Sequence, residues 1–96
     1  MQTTSAFAVD ITGCRIKITG EVDLHTAPLM VDAVAKAMTV ELDLSEVSFI
    51  DTSGLYGLVK LRNHRAALQI IAVSPAVHRV LEVTSLAESL LTPRPT

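Results

Sequence analysis

Cysteine occurs once in this chain, at Cys14, so no internal disulfide can form. No Cys/His cluster has metal-ligand spacing, and His25, His64 and His78 lie too far apart to form a local ligand pair. No metal is expected, and a reducing compartment fits. Aromatic residues make up 3% of the sequence and tryptophan is absent, which removes the stacking platforms that nucleic-acid binding uses. Lysine and arginine are scattered without a stripe, and the formal charge is −2, so there is no basic field to hold a polyanion. No apolar run reaches the roughly 18 residues of a membrane span. Residues 1–13 also lack a basic start followed by an apolar core, so neither membrane insertion nor export is expected and the protein reads as cytoplasmic.

What is present is aliphatic. Hydrophobic residues make up 49% and charged residues 19%, a balance richer in apolar side chains than disordered chains have. With so few rings, the core must be built from Val, Leu, Ile and Ala. The 96 residues suffice for one domain with one core, expected over about 6–91, with 92–96 a frayed tail.

Periodicity orders the elements. Phe7, Val9 and Ile11 share one parity, and Cys14, Ile16 and Ile18 repeat the alternation after Thr12-Gly13, a hairpin turn. On that parity Cys14 reads as core. Thr26-Ala-Pro28 supplies a capping hydroxyl and a first-turn proline, so a helix starts there, with Met30, Ala33, Val34, Ala37 and Met38 on its buried face. Asp32 and Lys36 pair four residues apart on the opposite face. Val40-Glu-Leu-Asp-Leu44 is a short strand, and Ser45-Glu46 reads as a turn toward Val47 and Ile50. A second helix covers 53–64, with Leu55, Leu58, Val59 and Arg62 on one face and Gly57 as a weak point. Leu68-Gln-Ile-Ile-Ala-Val73 is a strand, Ser74-Pro75 starts a third helix, and a last short element is expected over 87–91. The order β-β-α-β-α-β-α implies an α/β fold with right-handed crossovers and a mixed, mostly parallel sheet.

The segment Val47-Ser-Phe-Ile-Asp-Thr-Ser-Gly-Leu55 is the candidate site. An apolar strand stops at Asp51 and delivers the hydroxyls of Thr52 and Ser53 to the start of a helix, the place where open α/β sheets put functional groups. From position alone, ordinary helix capping is the preferred account of such hydroxyls, with a contribution of about 0.5–2 kcal/mol and no function. Glu21 and Asp23 follow the second strand and approach Asp51 if the two loops are neighbours; taken alone they are solvated loop acids. Tyr56 and His78 read as surface residues. No activating base accompanies either hydroxyl, and Gly54-Leu-Tyr-Gly57 lacks the Gly-Lys-Ser/Thr ending of a phosphate-binding loop. No catalytic residue and no cofactor are expected.

Three segments, Gly20-Glu-Val-Asp-Leu-His-Thr-Ala27, Asp43-Leu-Ser-Glu-Val-Ser-Phe-Ile-Asp-Thr-Ser-Gly-Leu55 and Val73-Ser-Pro-Ala-Val-His-Arg-Val-Leu81, resemble bacterial STAS domains of the anti-sigma factor antagonist type. The resemblance implies partner switching. The unmodified domain binds a GHKL-type serine/threonine kinase that acts as an anti-sigma factor, a sigma factor is freed, and phosphorylation ends the association until a phosphatase resets it. By the same resemblance Thr52 is the first choice of acceptor and Ser53 the second. The partner-binding surface then takes Glu21, Asp23, Leu24 and His25 from one loop, and Asp51 with Thr52, Ser53, Gly54, Leu55 and Tyr56 from the other. Family members more often carry Ser at the acceptor position. The connections before Val40 and Leu68 are shorter than is typical, and the chain stops where many relatives have a further helix. The Asp-Thr pair also resembles the small STAS subunit of phospholipid-transport ABC complexes, which makes a subunit stabilising a larger cytosolic assembly the alternative.

Overall fold

The computed structural model describes residues 7–37, 40–64, 68–87 and 90. Strands β1 (Ala8–Thr12) and β2 (Arg15–Val22) form the expected hairpin. It closes at Gly13, whose φ of +62° lies in the left-handed region that favours glycine. Val9 faces Ile18 and Ile11 faces Ile16 across the pair, so the apolar parity shares one face of the sheet. Cys14 sits in the turn itself and is exposed, which corrects its reading as core: the two turn residues leave the alternation that places its neighbours inside.

Helix α1 (Ala27–Ala35), strand β3 (Val40–Ile50), helix α2 (Thr52–His64), strand β4 (Leu68–Val73) and helix α3 (Pro75–Val83) follow in the expected order. The sheet runs β1-β2-β3-β4, with β1 antiparallel to β2 and the other three strands parallel. Each crossover moves one strand in the same direction. Right-handed connections therefore bring α1 and α2 side by side, and the two helices pack on each other. The expected Lys36–Asp32 pair forms at 3.1 Å. Ala27, Met30 and Val34 are the buried residues of α1, while Ala33 and Ala37 are half-buried and Met38 lies outside the described residues. Ala87 and Leu90 are helical, and the rest of the short element expected over 87–91 lies outside the described residues.

The core joins Ile16, Ile18 and Val22 of β2, Leu42, Leu44 and Val47 of β3 and Leu58, Val77 and Leu81 of the helices. On the other face charges of opposite sign stand across strands. Arg15 donates to Glu41 at 3.3 Å, Asp10 is opposite Lys17, and Lys17 is opposite Asp43. That face therefore stays in water, as one-sided sheets do.

Strand β3 is a single strand of 11 residues, not two pieces joined by a turn at Ser45-Glu46. Its pairing with β2 shifts register between Lys17 and Thr19 and again between Gly20 and Glu21. Each shift inserts an extra β3 residue, a bulge that lets Val47 and Ile50 face inward although simple alternation would turn Val47 outward. The Asp43 carboxylate supports the first bulge by accepting the Ser45 N–H at 2.9 Å.

Arg62 was expected on the buried face of α2, and it lies there at 4% exposure, its guanidinium donating to the Leu68 carbonyl at 3.0 Å. Gly57 allows α1 and α2 to come close, since a Cβ there would meet Val31 Cγ2 at 3.1 Å. No described helix is long and apolar enough to cross a membrane.

Candidate functional site

Parallel strands β2 and β3 end level with one another, Val22 opposite Ile50. The loop over 23–26 and the turn at Asp51 are therefore neighbours, and the Asp51 N–H donates to the Val22 carbonyl at 3.2 Å. The adjacency on which any meeting of Glu21, Asp23 and Asp51 depended is present.

At the start of α2 the cap is Asp51. Its carboxylate accepts the Gly54 N–H at 3.1 Å, and its carbonyl accepts the Leu55 N–H at 2.9 Å. This corrects the reading of Thr52 or Ser53 as caps. The chain enters the helix one residue earlier than the apolar spacing indicated, so the carboxylate occupies the capping position and Thr52 becomes the first helical residue. Thr52 is exposed and Ser53 half-buried, and neither hydroxyl has a hydrogen-bond partner among the described residues.

Gly54 is buried directly beneath this turn. A Cβ on it would stand 2.7 Å from Ile50 Cγ1 and Val22 Cγ1 and 2.8 Å from the Val22 carbonyl oxygen. The glycine thus lets the helix start rest on the strand ends, and Leu55 next to it is anchored in the core at 8% exposure. Together they fix the height at which Thr52 is presented.

The neighbouring loop is organised by Asp23. One carboxylate oxygen accepts the N–H groups of His25 at 2.9 Å and Thr26 at 3.0 Å. The Thr26 hydroxyl accepts the Asp23 N–H at 2.9 Å and donates to the Glu21 carbonyl at 2.6 Å. Thr26 was expected to cap α1 through its hydroxyl; instead it makes no side-chain cap, because these loop groups engage the oxygen first. Principally the Thr26 N–H holds the Asp23 carboxyl below its ordinary value, against an opposing effect of burial and with lesser help from the His25 N–H. Glu21, Leu24 and His25 are exposed on the same rim, and Leu24 presents 67% of its surface.

Tyr56 is 65% exposed one turn along α2, with Lys60 Nζ 5.4 Å from its ring centre. Sequence spacing did not single out Lys60. An aromatic residue and a lysine four apart on a helix were the available signal. His78, expected at the surface, is exposed on α3 near Glu82, 3.7 Å away.

Fold and site define a small α/β module that presents an unengaged hydroxyl from the first turn of a helix, on a rim bearing Glu21, Asp23 and Asp51. The helix N-terminus behind that hydroxyl favours an added negative charge. A family model described as "Mlab, STAS domain" matches residues 6–93. The chain belongs to the STAS-domain family. It is 32% identical over 82 residues to a protein of Listeria monocytogenes named anti-sigma-B factor antagonist, covering 76% of this chain and 72% of that one. An anti-sigma factor antagonist from Mycobacterium paratuberculosis has a similar fold, with a TM-score of 0.71 at 23% identity over 97% of this chain and 87% of the other. A structure of the antagonist SpoIIAA in its unphosphorylated form gives 0.68 at 18% identity, over 94% and 89% of the two chains. One of Bacillus SpoIIAA in its phosphorylated form gives 0.62 at 18%, over 94% and 92%.

Proposed function

We propose that the protein is an anti-sigma factor antagonist, a cytoplasmic binding module and not an enzyme, that sequesters a GHKL-type anti-sigma kinase and is switched off by phosphorylation of Thr52. The observation that carries the reading is the exposed Thr52 hydroxyl on the first residue of α2, left unengaged because Asp51 performs the capping. Ser53 is half-buried beside the α1–α2 contact and offers a kinase less room. The name of the Listeria relative supports the same reading over the alternative of a phospholipid-transport subunit.

On this reading the unmodified rim binds the kinase and a sigma factor is released from it. A phosphoryl group then adds about −1.5 to −2 charges within the contact, next to Asp51 and on the rim of Glu21 and Asp23. Like-charge repulsion and the desolvation of a dianion weaken the complex, and a phosphatase restores it.

Incubation with a GHKL-type kinase from the same genome and ATP, followed by mass spectrometry, tests the acceptor. Wild type and Ser53→Ala are expected to gain one phosphate and Thr52→Ala none. Absence of phosphate from all three would remove the switch.

A further inference from the structure

We infer that the cleft between α1 and α2 seats an amphipathic helix of the protein partner, apolar along its inner stripe and acidic where it passes Lys60; this rests on the partner-binding reading above. The cleft is built at helical spacing on both sides. Ala27, Val31 and Ala35 of α1 face Tyr56, Gly57 and Lys60 of α2, so it runs along the helices instead of pitting one spot. Two depressions, about 480 and 290 Å³, share Val31, Ala35 and Lys60 and form one trough from Ser53 and Leu24 at one end to His64 at the other.

Its walls are mostly small or aliphatic, and exposed Leu24 and Tyr56 add apolar surface at the end near Thr52. A single inserted side chain would leave most of the trough open. A helix carrying apolar residues at i, i+3 or i+4 and i+7 matches its length and direction. Charge specifies the occupant further. Asp32 also lines the cleft but pairs with Lys36 at 3.1 Å, whereas Lys60 lies over the Tyr56 ring and has no carboxylate partner among the described residues. An acid on the incoming helix therefore meets complementary charge there.

The partner then makes two separable contacts, one at Thr52 that phosphate opposes and one in the cleft that phosphate does not alter. Calorimetry with the full-length domain separates them, using purified GHKL-type kinases of the source genome one at a time, with ADP. Ala35→Glu and Lys60→Glu change exposed side chains, and thermal melts of each variant show whether folding is intact. Each is expected to weaken binding about tenfold or more, as loss of an interface anchor does. Phosphorylation of Thr52 is expected to continue at saturating kinase, with KM raised and kcat kept. A charge-reversed acid on the kinase is expected to rescue Lys60→Glu. If both variants bind like wild type while Thr52→Glu binds weakly, the cleft is unused and the switch stands. If only Ala35→Glu weakens binding, the apolar seat holds and the acidic contact is overturned. If wild type neither binds nor is phosphorylated by any of the kinases, the partner reading fails and the cleft inference fails with it.

Discussion

Asp51 and Thr52 divide two tasks that sequence alone left with one pair of hydroxyls. The carboxylate closes the helix end, and the hydroxyl one residue on is left facing solvent. The residue types were legible, but which of three adjacent polar groups caps depends on where the strand releases the chain, a tertiary matter settled by the Asp51–Val22 backbone bond. The two helix glycines make a contrasting pair. Gly54→Ala would push Cβ against the Val22 backbone at 2.8 Å and is expected to cost about 1–3 kcal/mol, as overpacking does. At Gly57 the nearest atoms are side-chain ends at 3.1 and 3.4 Å, and alanine gains about 1 kcal/mol of helix propensity, so Gly57→Ala should stay within about 1 kcal/mol of wild type. Urea unfolding of both variants checks the difference; equal losses would show that the helix start tolerates a Cβ. Asp23 and Asp43 supply a pH signature. Both carboxyls are held below their ordinary value, Asp23 chiefly by the Thr26 N–H and Asp43 by the Ser45 hydroxyl and N–H. The unfolded chain then binds these protons more tightly than the folded one. Their contribution is present above the ordinary carboxylate range and is lost as pH falls through the lowered values. Asp23→Asn and Asp43→Asn should each flatten the acid limb of stability against pH, and an unchanged slope would contradict the assignment.

At the scale of elements, period-two strands and proline-started helices were readable because their signals are local. Ser74-Pro75 is the clearest case: the Ser74 hydroxyl accepts the Val77 N–H at 3.2 Å and α3 begins at Pro75. Ser74→Ala should cost about 0.5–2 kcal/mol of stability, measured by denaturant unfolding. The similar Thr26-Ala-Pro28 signal placed a helix correctly but assigned its hydroxyl the wrong task. Thr26→Ala is accordingly expected to shift the amide resonances of 21–26 while leaving those of α1 nearly unchanged; the reverse pattern would restore the capping role. The bulges in β3 were illegible because Ser45-Glu46 has the polarity of a turn, and only the partner strand's register shows that the chain continues straight. The cleft was illegible for a related reason: its two walls are faces of helices far apart in sequence, and neither face is unusual alone.

For the molecule as a whole, the parallel pairing of β2 and β3 accounts for the arrangement of the candidate site. It brings the Asp23 loop and the Asp51 turn to one end of the sheet, while packing of α1 on α2 extends that end into a cleft. The scaffold beneath is buried and hydrogen-bonded, so an added phosphate is expected to act by charge at the surface and not by refolding the domain. Thr52→Glu should weaken kinase binding while Thr52→Ala keeps it, with wild-type melting behaviour in both. The most direct measurement is the dissociation constant of the kinase for the domain phosphorylated stoichiometrically at Thr52, set beside that of the unmodified domain under identical conditions. A loss of about tenfold or more, equivalent to 1.4 kcal/mol or more, is predicted. Equal affinities for the two forms would contradict the account.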